Sequence, residues 1–443
     1  MLFDFVQFRD KPAFITKSSD IITYAELDNA THINIPRGLV FCLCSNTLSS
    51  LIGYLTCLQS NLPVVMLDAS KPKDVIDSLI AAYSPEYIWD GELKPTGLKG
   101  GKLHKDLAMC LTTSGSTGSP KFVRLSADNI LSNAESIAKY LQIDKNERPI
   151  TTLPLYYSYG LSVINSHLIS GATILLTDAT YAQRDFWTFM KEQKATSIAG
   201  VPYTYEILKR LRFFRMDLPD LKTMTQAGGK LNKDIAKEYI DFAAEKGKRF
   251  FVMYGQTEAT ARMSYLPWES AQDKCASIGL PIPGGEFTLI NSSGEIINEP
   301  DIDGELVYKG PNVSLGYAEC RDDLAKGDEN NGVLHTGDVA RRDADGYYYI
   351  TGRLKRFVKI WGNRCNLDAV EQLVKEVTVS CACVGVDDKI TVFVTEDGLE
   401  ERIIGLLTEK TGLNNRAFEV RCINEIPKSA SGKIQYPDLQ ALL

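Results

Sequence analysis

The feature that most constrains the fold of this chain is an alternation of short apolar runs with amphipathic stretches over about the first 350 residues. The apolar runs at 38–44 and 62–67 predict strands, and the amphipathic runs at 48–58 and 73–83 predict helices. Strand–helix units that repeat in this way favour parallel strands with helices on both faces of the sheet. We therefore predict an α/β fold, with a large N-terminal domain of parallel-rich sheets covered by helices.

The pattern changes after about residue 262. Short strands separated by Gly, Asn and Asp turns, such as 287–290 and 304–308, indicate a small β-rich subdomain. Further on, helical patterns such as 367–375 indicate a compact α+β domain. We therefore expect a large domain over residues 1–354 and a small, mobile C-terminal domain over residues 355–443.

Charge and hydropathy exclude several classes of protein. The chain has 49 basic and 56 acidic residues, a net charge of −7, and no basic cluster, which argues against a nucleic-acid surface. No uncharged apolar run reaches the roughly 18 residues of a membrane span, and the N-terminus lacks the basic region of a secretory signal. The ten cysteines include the pairs Cys42/Cys44 and Cys381/Cys383, neither with zinc-site spacing. We expect buried free thiols in a reducing cytoplasm.

The most informative local segment is the loop that follows the predicted strand at 107–111. Its glycines can adopt positive φ, so that consecutive backbone N–H groups converge on one anion, while its hydroxyls add donors and its lysine adds charge. The sequence therefore predicts a polyphosphate-binding loop, and the alternative is a solvated Ser/Gly turn. It matches neither the common nucleoside-triphosphate loop nor the hydrolase Gly-x-Ser-x-Gly motif. The residues concerned are Thr113, Ser114, Gly115, Ser116, Thr117, Gly118 and Lys121.

Four more segments follow this loop in a fixed order. They are Tyr254-Gly-Gln-Thr-Glu258, Thr336-Gly-Asp338, Gly352-Arg-Leu-Lys355 and Pro427-Lys-Ser-Ala-Ser-Gly-Lys433. Together the five segments resemble the adenylate-forming superfamily of acyl-CoA synthetases, peptide-synthetase adenylation domains and luciferases. The pattern is most similar to AMP-dependent acyl-CoA synthetases, and the resemblance extends from about residue 12 to residue 437.

The resemblance implies a site for ATP and Mg²⁺. The serine-rich loop and Lys121 would hold the β- and γ-phosphates, Thr257 would bond the α-phosphate, and Glu258 would bind Mg²⁺, which prefers carboxylate and phosphate oxygens. Tyr254, followed by Gly255 and Gln256, would offer an aromatic face to the adenine.

Further residues complete the implied nucleotide site. The turn Gly228-Gly229-Lys230 would let the backbone approach the base and the acyl group, and Asp338 and Arg353 would bind the ribose. Each assigned residue has a structural alternative as well. Glu258 could decorate a helix start, Asp338 could form an Asx turn, Arg353 and Lys355 could be solvated charges, and Tyr254 could fill a strand end.

The C-terminal segments imply a two-step reaction. The resemblance assigns Lys433 as the catalytic lysine, which would neutralise charge between the carboxylate and the α-phosphate. Lys355 occupies the position of the family's hinge, where rotation would present Lys359 and Gly362 to the acyl-adenylate. A glycine at 362 would leave room for a pantetheine arm.

The acyl site departs from the family pattern. Many acyl-CoA synthetases have a histidine where this chain has Tyr157, and Tyr156, Tyr157 and Tyr159 lie close together in the sequence, followed by Gly160. We expect Tyr156, Tyr157 and Gly160 at the acyl pocket, with ordinary core packing as the alternative. Arg262 could bind a second carboxylate of the substrate, although a surface charge is the favoured interpretation.

These observations predict an ATP-dependent, AMP-forming ligase that activates a small carboxylic acid and transfers it to a thiol, most simply the thiol of CoA. No basic cluster is evident for the 3′-phosphate of CoA, so a carrier-protein phosphopantetheine or an amine remains an alternative acceptor. A non-catalytic acyl-adenylate-binding protein and a luciferase-like oxidation are further alternatives. The sequence does not identify the acid.

Overall fold

The computed structural model describes residues 3–112, 121–428 and 434–443, and for Asn363 and Arg364 it describes the backbone only. The chain forms two compact units. One contains Met1–Glu286 and Tyr308–Leu334, and the other contains Phe287–Val307 and His335–Leu443.

The part of the chain up to residue 285 alternates strands and helices. The strands are β1 (Pro12–Thr16), β2 (Ile21–Thr23), β3 (Val40–Cys44), β4 (Val64–Asp68), β5 (Tyr87–Trp89), β6 (Leu93–Pro95), β7 (Leu107–Thr112), β8 (Phe122–Ser126), β9 (Pro149–Ile150), β10 (Ile174–Leu176), β11 (Ser197–Gly200), β12 (Thr223–Gln226), β13 (Arg249–Tyr254), β14 (Ser264–Tyr265) and β15 (Leu280–Pro281). The helices are α1 (Tyr24–Ala30), α2 (Leu48–Gln59), α3 (Lys73–Tyr83), α4 (Ala127–Leu141), α5 (Ser158–Leu168), α6 (Arg184–Glu192), α7 (Pro202–Arg210) and α8 (Lys233–Glu245).

The remaining part is richer in strands. These are β16 (Glu286–Ile290), β17 (Gly304–Lys309), β18 (Gly316–Ala318), β19 (Val333–Arg342), β20 (Tyr348–Arg353), β21 (Phe357–Ile360), β22 (Asn363–Asn366), β23 (Cys381–Val386), β24 (Lys389–Val394) and β25 (Phe418–Cys422). The helices are α9 (Leu367–Val374), α10 (Glu400–Thr411) and α11 (Tyr436–Gln440).

Two large sheets form the framework of the first unit. One has the strand order β15-β14-β13-β12-β11-β9-β10-β1-β2, and the other has the order β18-β8-β7-β4-β3-β5-β6. The pairings from β13 through β1 are parallel, as are those that join β7, β4, β3 and β5. Antiparallel pairs occur toward the edges, as between β7 and β8. The α/β fold with parallel-rich sheets is therefore confirmed.

Residues of both sheets share one buried core. Phe14 and Ile174 come from one sheet, Val40 and Met66 come from the other, and Leu161 comes from α5. Such a core fixes α5 between layers, because a helix that buries apolar side chains on several sides has no solvent-facing stripe. The position of α5 matters for the site, since its first residue follows the tyrosine-rich segment.

The ends of three neighbouring parallel strands define one edge of the larger sheet. The strands β11, β12 and β13 are adjacent, and they end at Gly200, Gln226 and Tyr254. In open α/β sheets, ligands bind in the crevice beyond the carboxyl ends of the strands. The segments that follow Gln226 and Tyr254 are two of those that the sequence assigned to the nucleotide.

The second unit is built from small sheets. Most of a four-stranded sheet, β16-β17-β19-β20, lies in it, together with the hairpin β21-β22 and the sheet β23-β24-β25. Its core contains residues of α9, α10 and the last sheet, such as Val370, Val392 and Leu407. This arrangement agrees with the expected β-rich and α+β parts. The expected mobile C-terminal domain that begins at residue 355 stays a prediction.

Some sequence expectations differ from the structure. The apolar pattern of the sequence predicts a helix from Leu161 to Ile169 and a strand from Ile150 to Leu153. In the structure α5 begins at Ser158, almost one turn earlier, and β9 contains only Pro149–Ile150. Of the cysteines, all free, those of the strand pairs are buried but Cys320 and Cys422 are exposed. Among the helices of the described residues, none has the length and apolar character that a bilayer crossing needs.

Candidate active site

The glycine turn after β12 lies against a tyrosine. Gly228 has φ +83°, and a Cβ there would clash with the hydroxyl of Tyr157. The side-chain amide of Gln226 donates to the Gly229 carbonyl at 2.8 Å and holds the turn in place. Glycine is therefore required at 228 by both its backbone conformation and this close approach, and Tyr157 forms one wall beside the turn.

The segment after β13 forms a tight turn at the same sheet edge. At Gly255 a Cβ would clash with the Ala261 carbonyl oxygen, so the chain can reverse only because this residue has no side chain. A 3-10 turn, Thr257–Ala259, follows. The Thr257 hydroxyl lies 3.2 Å from that of Ser158, the first residue of α5, and the Gln256 amide donates to the Tyr254 hydroxyl at 3.3 Å.

Glu258 and Lys121 meet at a residue that sequence reasoning missed, Tyr317. The Tyr317 hydroxyl donates to Glu258 Oε1 at 2.8 Å, and Lys121 Nζ lies 3.7 Å from the centre of the Tyr317 ring. Lys121 also lies 3.5 Å from a Glu319 carboxylate oxygen. Burial and the Glu258 carboxylate raise the pKa of Tyr317, so its hydroxyl stays protonated and donates.

Strand pairing explains how Tyr317 reaches this position. β18 pairs antiparallel with β8, and Tyr317 lies opposite Val123, two residues after Lys121. Because the two strands are almost 200 residues apart in sequence, no local pattern links them. The only available signal was the aromatic residue in the short run Gly316-Tyr317-Ala318, which is too common to single out.

The three tyrosines of the acyl segment do not share one environment. Tyr157 packs against a core that contains residues of α4, β11 and β13. Tyr156 instead packs against the core shared by the two sheets, where burial and the nearby Asp68 raise its pKa. Tyr159 is buried and its hydroxyl donates to the Thr225 carbonyl at 2.8 Å. At Gly160 a Cβ would clash with the Pro154 carbonyl, so this glycine has a packing reason of its own.

Arg262 is not a surface charge, and the interpretation favoured from the sequence is wrong. Its side chain is among the largest fully buried ones in the described residues, with a residue exposure of 1%. The sequence could not show this, because Arg262 is a single charge in a short segment and its burial results from the packing of α4 and α5 over β13.

Asp338 and Arg353 are brought together in the second unit. They lie opposite each other in the antiparallel pair β19–β20, and Arg353 Nε lies 3.2 Å from Asp338 Oδ1. Asp338 is buried, and Arg353 is exposed. This contact is consistent with the prediction that both residues bind the same sugar. Their role at the ribose stays a prediction.

The other residues of the second unit to which the sequence assigned a role are exposed. Lys355 is exposed in a 3-10 turn, Leu354–Arg356, and Lys359 is exposed on β21. Trp361 (φ +48°) and Gly362 (φ +87°) form the two-residue turn between β21 and β22. Positive φ at both positions is typical of type I′ hairpins, which explains the glycine without reference to a ligand.

Several assigned residues lie outside the described ones. These are Thr113, Ser114, Gly115, Ser116, Thr117 and Gly118 in the serine-rich loop, and Lys433 near the C-terminus. Lys230 is described and is exposed. The residues that flank the Lys433 segment form an antiparallel bridge, Lys428 with Ile434.

The acidic residue Glu258 is suited to magnesium in one specific way. No group of three or more His, Cys, Asp or Glu side chains occurs where the structure is described. Mg²⁺ commonly uses only one or two carboxylates and takes its other ligands from phosphates and water. A half-buried carboxylate that shares a tyrosine partner with a lysine therefore fits Mg²⁺ carried by a polyphosphate better than a metal held by protein ligands alone.

Comparison with known proteins identifies the family to which this chain belongs. The model of the family described as AMP-binding enzyme matches residues 91–318, about half of the chain. The chain therefore belongs to the AMP-binding enzyme family, which confirms the resemblance read from its motifs.

Similar proteins include named CoA ligases. Feruloyl-CoA synthase of Amycolatopsis sp is 29% identical over 346 residues, 74% of this chain and 68% of the relative. Oxalate–CoA ligase of Arabidopsis thaliana is 30% identical over 346 residues, 74% of this chain and 66% of the relative. The matched part thus spans about two thirds of the length of each relative.

A solved structure supports the fold over almost the whole chain. O-succinylbenzoate coenzyme A synthetase from Bacillus subtilis, in complex with AMP, superimposes with a TM-score of 0.80 at 20% identity, covering 98% of this chain and 96% of that one. The same synthetase has been solved with ATP and a magnesium ion.

Proposed function

We propose that this enzyme is an AMP-forming acyl-CoA ligase, which uses ATP and Mg²⁺ to activate a small carboxylic acid and then transfers the acyl group to CoA. The family and the named relatives support the reaction class. The carrying observation is the contact of Lys121 and Glu258 with opposite parts of Tyr317. It brings a cation and a magnesium-type carboxylate from distant parts of the sequence to one place.

In the first step, a carboxylate oxygen of the acid attacks the α-phosphorus of ATP. The bond between the α-phosphorus and the oxygen that bridges to the β-phosphorus breaks, and pyrophosphate leaves. Because two anions must approach each other, positive charge and positioning are the main needs. Lys121 would bind the β- and γ-phosphates with the serine-rich loop, and Thr257 would bond the α-phosphate. Mg²⁺ on Glu258 would screen the phosphate charge.

In the second step, the CoA thiol attacks the acyl carbonyl carbon. AMP leaves as the new carbon–sulfur bond forms, and the thiol proton passes to solvent. We propose that the part after residue 354 moves between the steps, with Lys355 as the hinge and with Lys359 and Gly362 facing the thiol arm. The exposure of Lys355 supports this, since a hinge residue must change conformation without disrupting a core.

The support for CoA as the acceptor comes only from the names of the relatives. A carrier-protein phosphopantetheine or an amine would require the same adenylate, so the first step does not separate the acceptors. Acid-dependent exchange of pyrophosphate into ATP tests adenylate formation. Adding CoA, a phosphopantetheinylated carrier protein or an amine, one at a time, then identifies the acceptor by its acylated product.

Lys433 provides the sharpest single test of the first step. We expect Lys433→Ala to reduce carboxylate-dependent exchange by roughly 10²- to 10³-fold, the usual effect of removing one positioned charge partner. Lys428→Ala, five residues earlier, is the matched control and should retain most of the activity. Unchanged exchange in Lys433→Ala would remove the lysine from the mechanism, and no exchange with any acid in the wild type would contradict the proposed function.

A further inference from the structure

Arg262 is a buried cation whose partners are all neutral. Its Nη1 donates to the Tyr140 hydroxyl at 3.3 Å and contacts the Met253 sulfur, and its Nη2 donates to the Ser162 hydroxyl at 3.0 Å. Its guanidinium lies 4.1 Å from the centre of the Tyr159 ring. Three elements, α4, α5 and β13, therefore surround this charge, and each offers a neutral polar atom or a ring rather than a negative charge.

The guanidinium lacks a counter-ion within the described residues. No carboxylate forms an ion pair with it there, and its buried Nε has no hydrogen-bond partner. A buried charge is costly unless it is paired, and a buried donor without an acceptor adds to that cost. A buried cation that lacks a counter-ion and has an unpaired donor calls for a further partner, and an anionic ligand would supply both the charge and the acceptor.

A narrow cavity adjoins Arg262. The other charged groups that line it are already engaged. Glu147 accepts from the Thr196 hydroxyl, and Arg249 donates to Gln142 and Thr223. His167 also lines the cavity, and burial lowers its pKa to about 4, so it is neutral near pH 7. Arg262 is therefore the cation that remains available in this cavity.

Helix α5 connects Arg262 to the reacting end of the site. Ser158, at its start, lies 3.2 Å from the Thr257 hydroxyl, which is proposed to bond the α-phosphate. Ser162, one turn further along, accepts from Arg262. Four residues of helix rise by about 6 Å, so the guanidinium lies roughly one helical turn from the proposed reaction centre along this axis.

We infer that Arg262 binds a second carboxylate on the acid, so that the preferred substrate is a dicarboxylic acid whose distal group lies roughly one helical turn from the reacting one. This deepens the proposed function and rests on it. The spacing favours diacids of about four to six carbons over those whose carboxylates are directly joined. The distal carboxylate would accept from the free Nε and would supply the missing negative charge.

The test compares each diacid with an analogue that differs only in charge. Succinate, glutarate and adipate, and their monomethyl esters, are used as substrates for pyrophosphate exchange by the wild-type enzyme. We expect kcat/KM for the best diacid to exceed that of its monoester by about 10- to 100-fold, the effect of one charge-assisted hydrogen bond in a buried site.

Variants at 262 then separate binding from folding. Arg262→Gln should lower kcat/KM for the diacid by about 10- to 100-fold and reduce the ratio of diacid to monoester to near one, and Arg262→Lys should recover part of that ratio. Arg184→Gln, an exposed arginine on α6, is the matched control. If Arg262 were purely structural, Arg262→Gln would lower kcat/KM equally for the diacid and for its monoester, and the ratio would stay unchanged.

The outcomes distinguish this inference from the proposed function. Exchange by the wild type with monocarboxylic acids and monoesters, without preference for diacids, overturns the role of Arg262 alone. No exchange with any acid overturns the proposed function and this inference with it. Because the wild-type selectivity decides the question, the result does not depend on whether Arg262→Gln folds.

Discussion

At the scale of single residues, Tyr317 connects two functions that the sequence assigned separately. Its hydroxyl donates to Glu258 while its ring lies under the Lys121 ammonium. One aromatic side chain thus orients a carboxylate and offers a π face to a cation. Neither interaction is visible in the motifs themselves, because Tyr317 lies outside all five of them.

Tyr317→Phe tests this connection, because it keeps the ring and removes only the hydroxyl. We expect the magnesium concentration for half-maximal exchange to rise by roughly 10-fold, since a hydrogen bond to a charged group is lost and Glu258 is no longer oriented. Tyr349→Phe is the matched control, because the Tyr349 hydroxyl also donates to a carboxylate, that of Asp343, outside the site. An unchanged magnesium dependence in Tyr317→Phe would show that Tyr317 does not position the metal ligand.

The glycines illustrate what a motif can and cannot tell at this scale. The sequence predicted flexible backbone at Gly228 and Gly362, and both have positive φ. At Gly228 the structure adds a specific cause, the hydroxyl of Tyr157, whereas at Gly362 the two-residue hairpin turn suffices. The role of Gly362 beside a thiol arm therefore stays a prediction.

At the scale of elements, the 3-10 turn that contains Lys355 is fixed to the rest of the second unit by one arginine. Arg356 is buried, donates to Asp368 and to Glu371 at the start and middle of α9, and lies 3.7 Å from the centre of the Tyr436 ring. The Tyr436 hydroxyl donates to Glu371 at 3.0 Å. α11 thus begins at a residue tied to this network, three positions after Lys433.

Arg356→Met tests the network. We expect a loss of about 3 kcal/mol in the stability of the second unit, because removing one partner leaves Glu371 as a buried charge with reduced compensation. Hydrogen exchange at the amides of α9 and α11 should accelerate accordingly. Arg402→Met, at an exposed position on α10, is the control, and equal effects of the two substitutions would contradict a special role for Arg356.

At the scale of the whole molecule, the proposed two-step reaction depends on motion after residue 354. Lys355→Pro should slow thioester formation much more than adenylation, because proline fixes φ near −65° and removes a backbone donor at the proposed hinge. Pyrophosphate exchange measures the first step, and release of AMP in the presence of CoA measures the second.

Lys355→Ala is the appropriate comparison, since it removes the charge but keeps torsional freedom. Its rates should stay near those of the wild type in both half-reactions if the backbone, rather than the ammonium, is what matters. Equal losses in the two half-reactions of Lys355→Pro would argue against a hinge at this residue.

The sequence by itself determined the fold class and many of the elements, because periodicity and turn chemistry are local. α3 has the bounds that its pattern predicts, and α2 begins at the predicted residue. The order of the five motifs was also sufficient to identify the family, because local backbone turns such as that at Gly255 impose residue types that can be read directly.

Only the tertiary structure decided which side chains meet. Tyr317 reaches Glu258 through a strand pairing across almost 200 residues, and Tyr156 packs in a different core from Tyr157 and Tyr159. Arg262 is the clearest case, since a lone arginine in a short segment predicts a solvated charge, and its burial depends on α4, α5 and β13 packing around it. Such contacts arise from long-range packing, whose partners no local pattern specifies.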